Sequence, residues 1–431
     1  MVPSRLHLEW TDNQFALGKR LKNLMDRDSS NSQASWDRTL VNTQSKAREL
    51  LGPSEAEQKQ LGYFHTLHEI CQQPWTWLRT SERMIAEREN LQRDLAGIRS
   101  LVLTGSGSSE YAGECVKLAL QNGLGIWSES IGAGILLTHG KRVLPKSRPA
   151  LLISLARSGD SPESRAAIQL LLDTEPQFRH IIVTCNEQGS LTKAWRNNAQ
   201  VRVITLPPET NDESLVMTSS FTNLVLAARY LGMLDSPDQY RLICQGLGQI
   251  AQDIIQSNFD ALAAVGTSGF QRAVFLGSGS RYAGTREAAL KMLEMTAGRV
   301  TTLCETYLAF RHGPMSYIQE DTLIVCNLSS DATLRAYELD LLRELDRKKL
   351  GLSKLIVGER IPSEVLRKGD LAIECTGLGK IGDEDSTVID VLVAQLLAFF
   401  RCRAEGLRPD SPSEDGVIQR VVGTFPLHSS S

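Results

Sequence analysis

Short, nearly unbroken apolar runs punctuate the chain at Ser100–Thr104, Ala150–Ser154, His180–Thr184 and Val201–Leu206. Runs of this length with so few polar interruptions suit strands buried on both faces. Helical stretches follow near 109–121, 161–173 and 217–231. Strands alternating with helices predict a parallel sheet covered by helices. The same order returns with runs at Ala273–Leu276, Leu323–Leu328, Lys354–Val357 and Leu371–Glu374, and helices near 283–297, 332–348 and 387–404.

The repeat is also visible residue by residue. Val102-Leu-Thr-Gly-Ser-Gly-Ser-Ser109 resembles Val274-Phe-Leu-Gly-Ser-Gly-Ser280, and a Tyr-Ala-Gly follows each, at 111–113 and 282–284. The chain therefore divides into a flexible or helical extension (1–60), two α/β units (61–235 and 236–405) and a tail (406–431). A helical segment from Pro237 to Ala264 joins the units. The polar stretch Asp26–Gln33 reads as linker. A helix starts after Ser54, carries Leu61, Phe64, Leu67 and Ile70 on one stripe, and stops before Pro74.

Composition narrows the classes. Over 431 residues, 42% hydrophobic and 23% charged, with a formal net charge of −3, the chain offers no basic patch for nucleic acid. The longest apolar segment, Val391–Phe400, is too short for a membrane span and carries Gln395. The N-terminus lacks the apolar core of a secretory signal. The eight cysteines stand apart, with no metal-ligand or disulfide spacing, and read as buried residues of a reducing compartment. A cytoplasmic protein without metal or cofactor is expected.

Gly105-Ser-Gly-Ser-Ser109 lies between a strand and a helix, where glycines admit a ligand to the backbone and a helix N-terminus offers free N–H groups to an anion. A dinucleotide fingerprint fails, because its third glycine would fall at Glu110 in the first copy and Tyr282 in the second. The next loop, Ser154 to Ser164, adds Ser158, Ser161 and Ser164, with Pro162 suited to a first helical turn. The alternative for these serines alone is to cap and turn the chain. With Ser108 and Ser109 they outline a hydroxyl-rich anion pocket, to which Arg157 adds charge. Ser219 and Ser220, in the hydroxyl cluster Met217-Thr-Ser-Ser-Phe-Thr222, are placed to face the same crevice; the equal alternative is that Thr218 or Ser219 caps the next helix.

In the second copy, Glu287, Lys291 and Glu294 fall at i, i+4 and i+7, on one helix face. An ordinary solvated face would look the same. Two features favour chemistry: the helix follows the glycine-rich turn directly, and His312 lies eighteen residues on, in Arg311-His-Gly-Pro314.

These segments resemble the SIS (sugar isomerase) family, and within it the AgaS branch of galactosamine-6-phosphate deaminase/isomerases and tagatose-6-phosphate ketose/aldose isomerases. The resemblance is carried by Ser158-Gly-Asp-Ser-Pro-Glu-Ser164, Thr184-Cys-Asn-Glu187, Met217-Thr-Ser-Ser220, Gly277-Ser-Gly-Ser280, Phe310-Arg-His-Gly-Pro314, Tyr337-Glu-Leu-Asp-Leu-Leu342 and Arg420-Val-Val422. It spans about residues 61–428. It implies two tandem doubly wound, flavodoxin-like SIS domains. It also implies phosphate on Ser109, Ser158 and Ser161, with Arg157 where the pattern of the family's glucosamine-6-phosphate synthase members has Gln and Ala156 where it has Ser. Glu294 becomes the proton-shuttling base and His312 the ring-opening residue, reaching a neighbouring subunit in a dimer or tetramer. Lys291 and Glu287 carry over as site residues, and Arg420 stands near the place of the family's tail lysine. The implied reaction converts galactosamine 6-phosphate to tagatose 6-phosphate and ammonia. Plain aldose–ketose isomerisation, or a non-catalytic sugar-phosphate sensor, are the alternatives.

Overall fold

The computed structural model describes residues 29–428. Two five-stranded parallel sheets form its frame. The first contains β1 (Ser100–Thr104), β2 (Trp127–Ser130), β3 (Ala150–Ala156), β4 (Phe178–Thr184) and β5 (Val201–Thr205), in the order β2-β1-β3-β4-β5. The second contains β6 (Arg272–Gly277), β7 (Thr301–Thr306), β8 (Thr322–Asn327), β9 (Ser353–Gly358) and β10 (Leu371–Glu374), in the order β10-β9-β8-β6-β7. Read from the other edge, the second order repeats the first, so the two halves have one doubly wound topology. In each, the chain reverses its direction across the sheet beside β1 or β6. The crevice this leaves at the C-terminal strand ends is where open α/β sheets take ligands.

The two halves meet through helices. Ser280–Met295 packs against Ser108–Leu124 of the first half and against Asp383–Ala404. Every residue from Val388 to Phe400 on that last helix is at most 2% exposed. The apolar run of Val391–Phe400 is thus a core helix, and among the described residues no helix is long and apolar enough to cross a membrane. Gln395 sits inside without cost because its amide is paired: Nε2 donates to the Thr218 carbonyl at 3.1 Å and Oε1 accepts from Gln73 Nε2 at 2.8 Å. Arg229 spans the halves as well, donating through Nε to Asp385 Oδ1 at 2.8 Å.

The N-terminal reading changes. Residues 29–33 begin a helix, Ser29–Thr43, rather than a linker; residues 26–28 lie outside the described part. A second helix, Ser45–Leu51, starts on a carboxylate from far along the chain: Asp260 accepts from the Ser45 and Lys46 amides at 2.8 and 2.7 Å. The expected single helix after Ser54 is two. Ser54 and Glu57 form a capping box at the start of Glu55–Leu61. That helix ends on Gly62 in the left-handed region (φ 73°), and Phe64–Cys71 follows. As expected, this helix stops before Pro74, which stands in the first turn of the next, Gln73–Ala86.

Candidate active site

The first glycine-rich loop runs from β1 into the helix Ser108–Leu124. Gly107 holds φ 58° and ψ −127°, a conformation that side chains resist, and a Cβ on Gly105 would stand 2.6 Å from the Ser109 backbone. These glycines let the turn close tightly over the helix start. The loop after β3 faces it. Together they line a cavity of about 190 Å³ whose walls include Ser109, Arg157, Ser158, Ser161, Met217 and Arg420. Ser161 precedes the helix Pro162–Thr174, yet its side chain makes no capping bond. Ser106 and Ser164 hydroxyls approach to 3.2 Å across the two loops.

The second half reaches this place through its helix. Lys291 Nζ donates to Ser108 Oγ at 3.1 Å and to Glu294, and lies 3.3 Å from Glu287 Oε1. Three side chains spaced on one helix face therefore meet the first loop as one cluster. Lys291 and Glu287 are almost wholly buried, whereas the Glu294 side chain keeps 24% of its surface exposed. Neither Glu287 oxygen meets a donor at hydrogen-bonding geometry, so the pair is held by charge and proximity. Burial pushes the Glu287 carboxyl up to about 7, with the Glu294 charge adding to the rise and Lys291 opposing it. Lys291 moves upward despite burial, because two carboxylates hold its proton.

The tail closes one wall. Arg157 donates to the Leu215 carbonyl at 2.9 Å and to the Arg420 carbonyl. Arg420 turns its own guanidinium away, onto Asn211 Oδ1 at 3.0 Å and the Asp212 carbonyl. Both arginines line the cavity, but their donors are taken by backbone carbonyls and by Asn211. Burial and the Arg420 charge pull Arg157 below its ordinary value, opposed by Asp212, Glu69 and Glu294.

Two expected residues are withdrawn from the cavity. Ser219 and Ser220 are fully buried. Ser219 Oγ faces Thr76 and Asn223, and Ser220 Oγ donates to Asp212. Nor do Thr218 or Ser219 cap the helix Ser219–Tyr230: Asp212 does, accepting from the Thr218 and Ser220 amides at 2.7 and 2.9 Å. Serines chosen by position at a strand's end were claimed instead by a buried polar network. His312 is exposed, just beyond the short helix Tyr307–Phe310, and does not line the cavity of its own chain.

Sequence reasoning missed Glu69. This buried carboxylate accepts from the Glu213 and Ser214 amides at 2.6 and 3.1 Å and so braces the loop whose carbonyls hold Arg157. The bond closes over 144 residues of chain, so no local spacing signals it.

No family model matches the chain. An AgaS protein of Streptomyces coelicolor is 36% identical over 376 residues, 85% of this chain and 95% of its own length. The chain belongs to the AgaS family. A second member, the D-galactosamine-6-phosphate deaminase AgaS of Shewanella sp. strain ANA-3, is 34% identical over 84% of this chain and 91% of its own. Among solved structures, the tagatose-6-phosphate ketose/aldose isomerase of Escherichia coli superposes with a TM-score of 0.75 at 31% identity, covering 82% of this chain and 95% of that one. The two tandem SIS domains expected from the motifs are the fold of this chain.

Proposed function

We infer that this chain is a galactosamine-6-phosphate deaminase. The observation that supports it most is Lys291, which brings Glu287 and Glu294 from the second half against Ser108 beside the serine-lined cavity. A phosphate held there leaves the rest of a short sugar within reach of the helix that carries the carboxylates. Ser109, Ser158 and Ser161 donate hydroxyls, and the Ser108–Leu124 helix start adds amide N–H groups. Arg157 contributes long-range positive charge rather than a direct contact.

Glu294 is the base. It is the one carboxylate of the cluster with solvent-accessible surface, and its partner Lys291 can steady the charge that moves onto oxygen. With the sugar ring open, Glu294 takes the C2 proton, giving an enolamine, and returns it at C1. This leaves an iminium at C2. Water adds there and ammonia departs, giving the ketose. His312 moves the proton between ring oxygen and O1, and its position outside its own cavity fits service in a neighbouring subunit of a homo-oligomer. Glu287, buried and raised, holds Lys291 in place rather than touching the sugar.

Simple aldose–ketose isomerisation needs the same proton transfer with a C2 hydroxyl, and the Escherichia coli relative at 31% identity is named for that reaction. Glu294→Gln separates chemistry from binding: sugar phosphate affinity should stay within about threefold of wild type, while turnover falls by about 10²–10⁴. Undiminished turnover would remove Glu294 from the reaction.

A further inference from the structure

The two glycine-serine loops share one backbone geometry. Gly107 and Gly279, each just before a helix, hold φ 58°, ψ −127° and φ 56°, ψ −131°. The facing loops also correspond. After β3 the Ser158 hydroxyl accepts from the Asp160 amide at 3.2 Å, and after β8 the Ser329 hydroxyl accepts from the Asp331 amide at 2.9 Å. The chain therefore builds the same anion cradle twice.

Their contents differ. In the first, serines border an open cavity. In the second, the donors of the loop after β8 are taken by the chain's own carboxylates, while the buried Ser280 hydroxyl has no partner. Asp383 Oδ1 accepts from the amide and the hydroxyl of Ser330, both at 2.8 Å, and Oδ2 accepts from the Ser329 hydroxyl. Fully buried Glu338 accepts from the Ser329 amide at 2.7 Å. Arg281, also fully buried, lies 3.8 Å from Asp383 while pairing with Asp390 and donating to the Leu328 carbonyl.

We propose that the second cradle is an oxyanion site filled from within, Asp383 standing as its resident anion and Glu338 sealing it, so that each chain binds one phosphate ester, at the first cradle alone. The proposal rests on the phosphate reading of that first cradle. A phosphate entering the second would meet two carboxylates and no free donor on Ser329 or Ser330. Burial pushes the Asp383 carboxyl up, but the Ser329 and Ser330 donors and Arg281 outweigh it and keep the group below its ordinary value, as a resident anion requires.

Calorimetric titration of the full chain tests this with galactosamine 6-phosphate and, separately, inorganic phosphate. One equivalent per chain is expected, weakened at least tenfold by Ser158→Ala. Asp383→Ala should gain a second, weaker equivalent of inorganic phosphate, and phosphate should raise its melting temperature more than that of wild type; Asp383→Asn serves if the alanine variant does not fold. Two equivalents in wild type would overturn the proposal, and so would a folded Asp383 variant that still takes one. No binding of either compound to wild type would instead bring down the first-cradle reading, and the proposal with it.

Discussion

At the scale of single residues, the account turns on a lysine that two carboxylates share. Lys291 bridges Glu287, Glu294 and Ser108 from a position 1% exposed. Lys291→Met strands Glu287 as a buried carboxylate without a counter-charge, and losses of about 3–5 kcal/mol follow when one partner of a buried pair is removed. Chemical denaturation of the two proteins measures this. Glu287 also sets a pH dependence. Its folded value, about 7, lies above the ordinary 4.5, so the folded chain holds this proton more tightly than the unfolded one. Its contribution is complete below about 4.5 and is lost as pH rises through 7. Relative to Glu287→Gln, wild type should lose stability over that window; parallel melting curves at pH 4.5 and 7.5 would contradict it. The carboxylates and the lysine were legible in the sequence as a helical face, but their burial was not, because only the other half of the chain covers them.

Strands were legible where they carry a nearly unbroken apolar run. β1, β3, β4, β5, β6, β8, β9 and β10 all fell on such runs, whereas β2 and β7 were missed. Both are edge strands. β2 reads Trp-Ser-Glu-Ser with Trp127 58% exposed, and β7 mixes threonines with Glu305 along a half-exposed face. The edge strands β5 and β10 keep an apolar run, but an edge strand does not need one, and hydrophobic patterning does not mark those that lack it. The N-terminal helices were misread for a related reason: their anchors are distant. Asp260 caps Ser45–Leu51 from more than two hundred residues away. Asp260→Ala should cost about 0.5–2 kcal/mol, the usual price of a lost helix cap, and expose that helix to faster amide exchange. On β4, His180 is buried with both ring nitrogens unpartnered, and burial lowers it from 6.5 to about 4. Here the sign reverses. The neutral ring's contribution is full above 6.5 and lost as pH falls through 4, so His180→Gln should blunt acid unfolding between those values, followed by circular dichroism.

On the scale of the whole molecule, duplication supplied two cradles and one helix that crosses between halves. The first cradle remains open, the second is closed by its own acids, and the crossing helix delivers the carboxylates to the open one. The exposed His312 extends this logic beyond one chain. Mixing inactive His312→Ala and Glu294→Gln proteins should restore partial activity through hybrid oligomers, and no recovery in a verified hybrid would restrict His312 to its own subunit. The resemblance between loops was readable from sequence, but their opposite contents were not, since Asp383 reaches Ser329 and Ser330 from the start of a helix more than fifty residues later. The central claim is deamination, and ammonia release from galactosamine 6-phosphate measures it, with glucosamine 6-phosphate alongside. The account predicts ammonia and tagatose 6-phosphate in equal amounts from the galacto sugar. Absence of ammonia, with tagatose 6-phosphate still interconverted with its aldose, would contradict it.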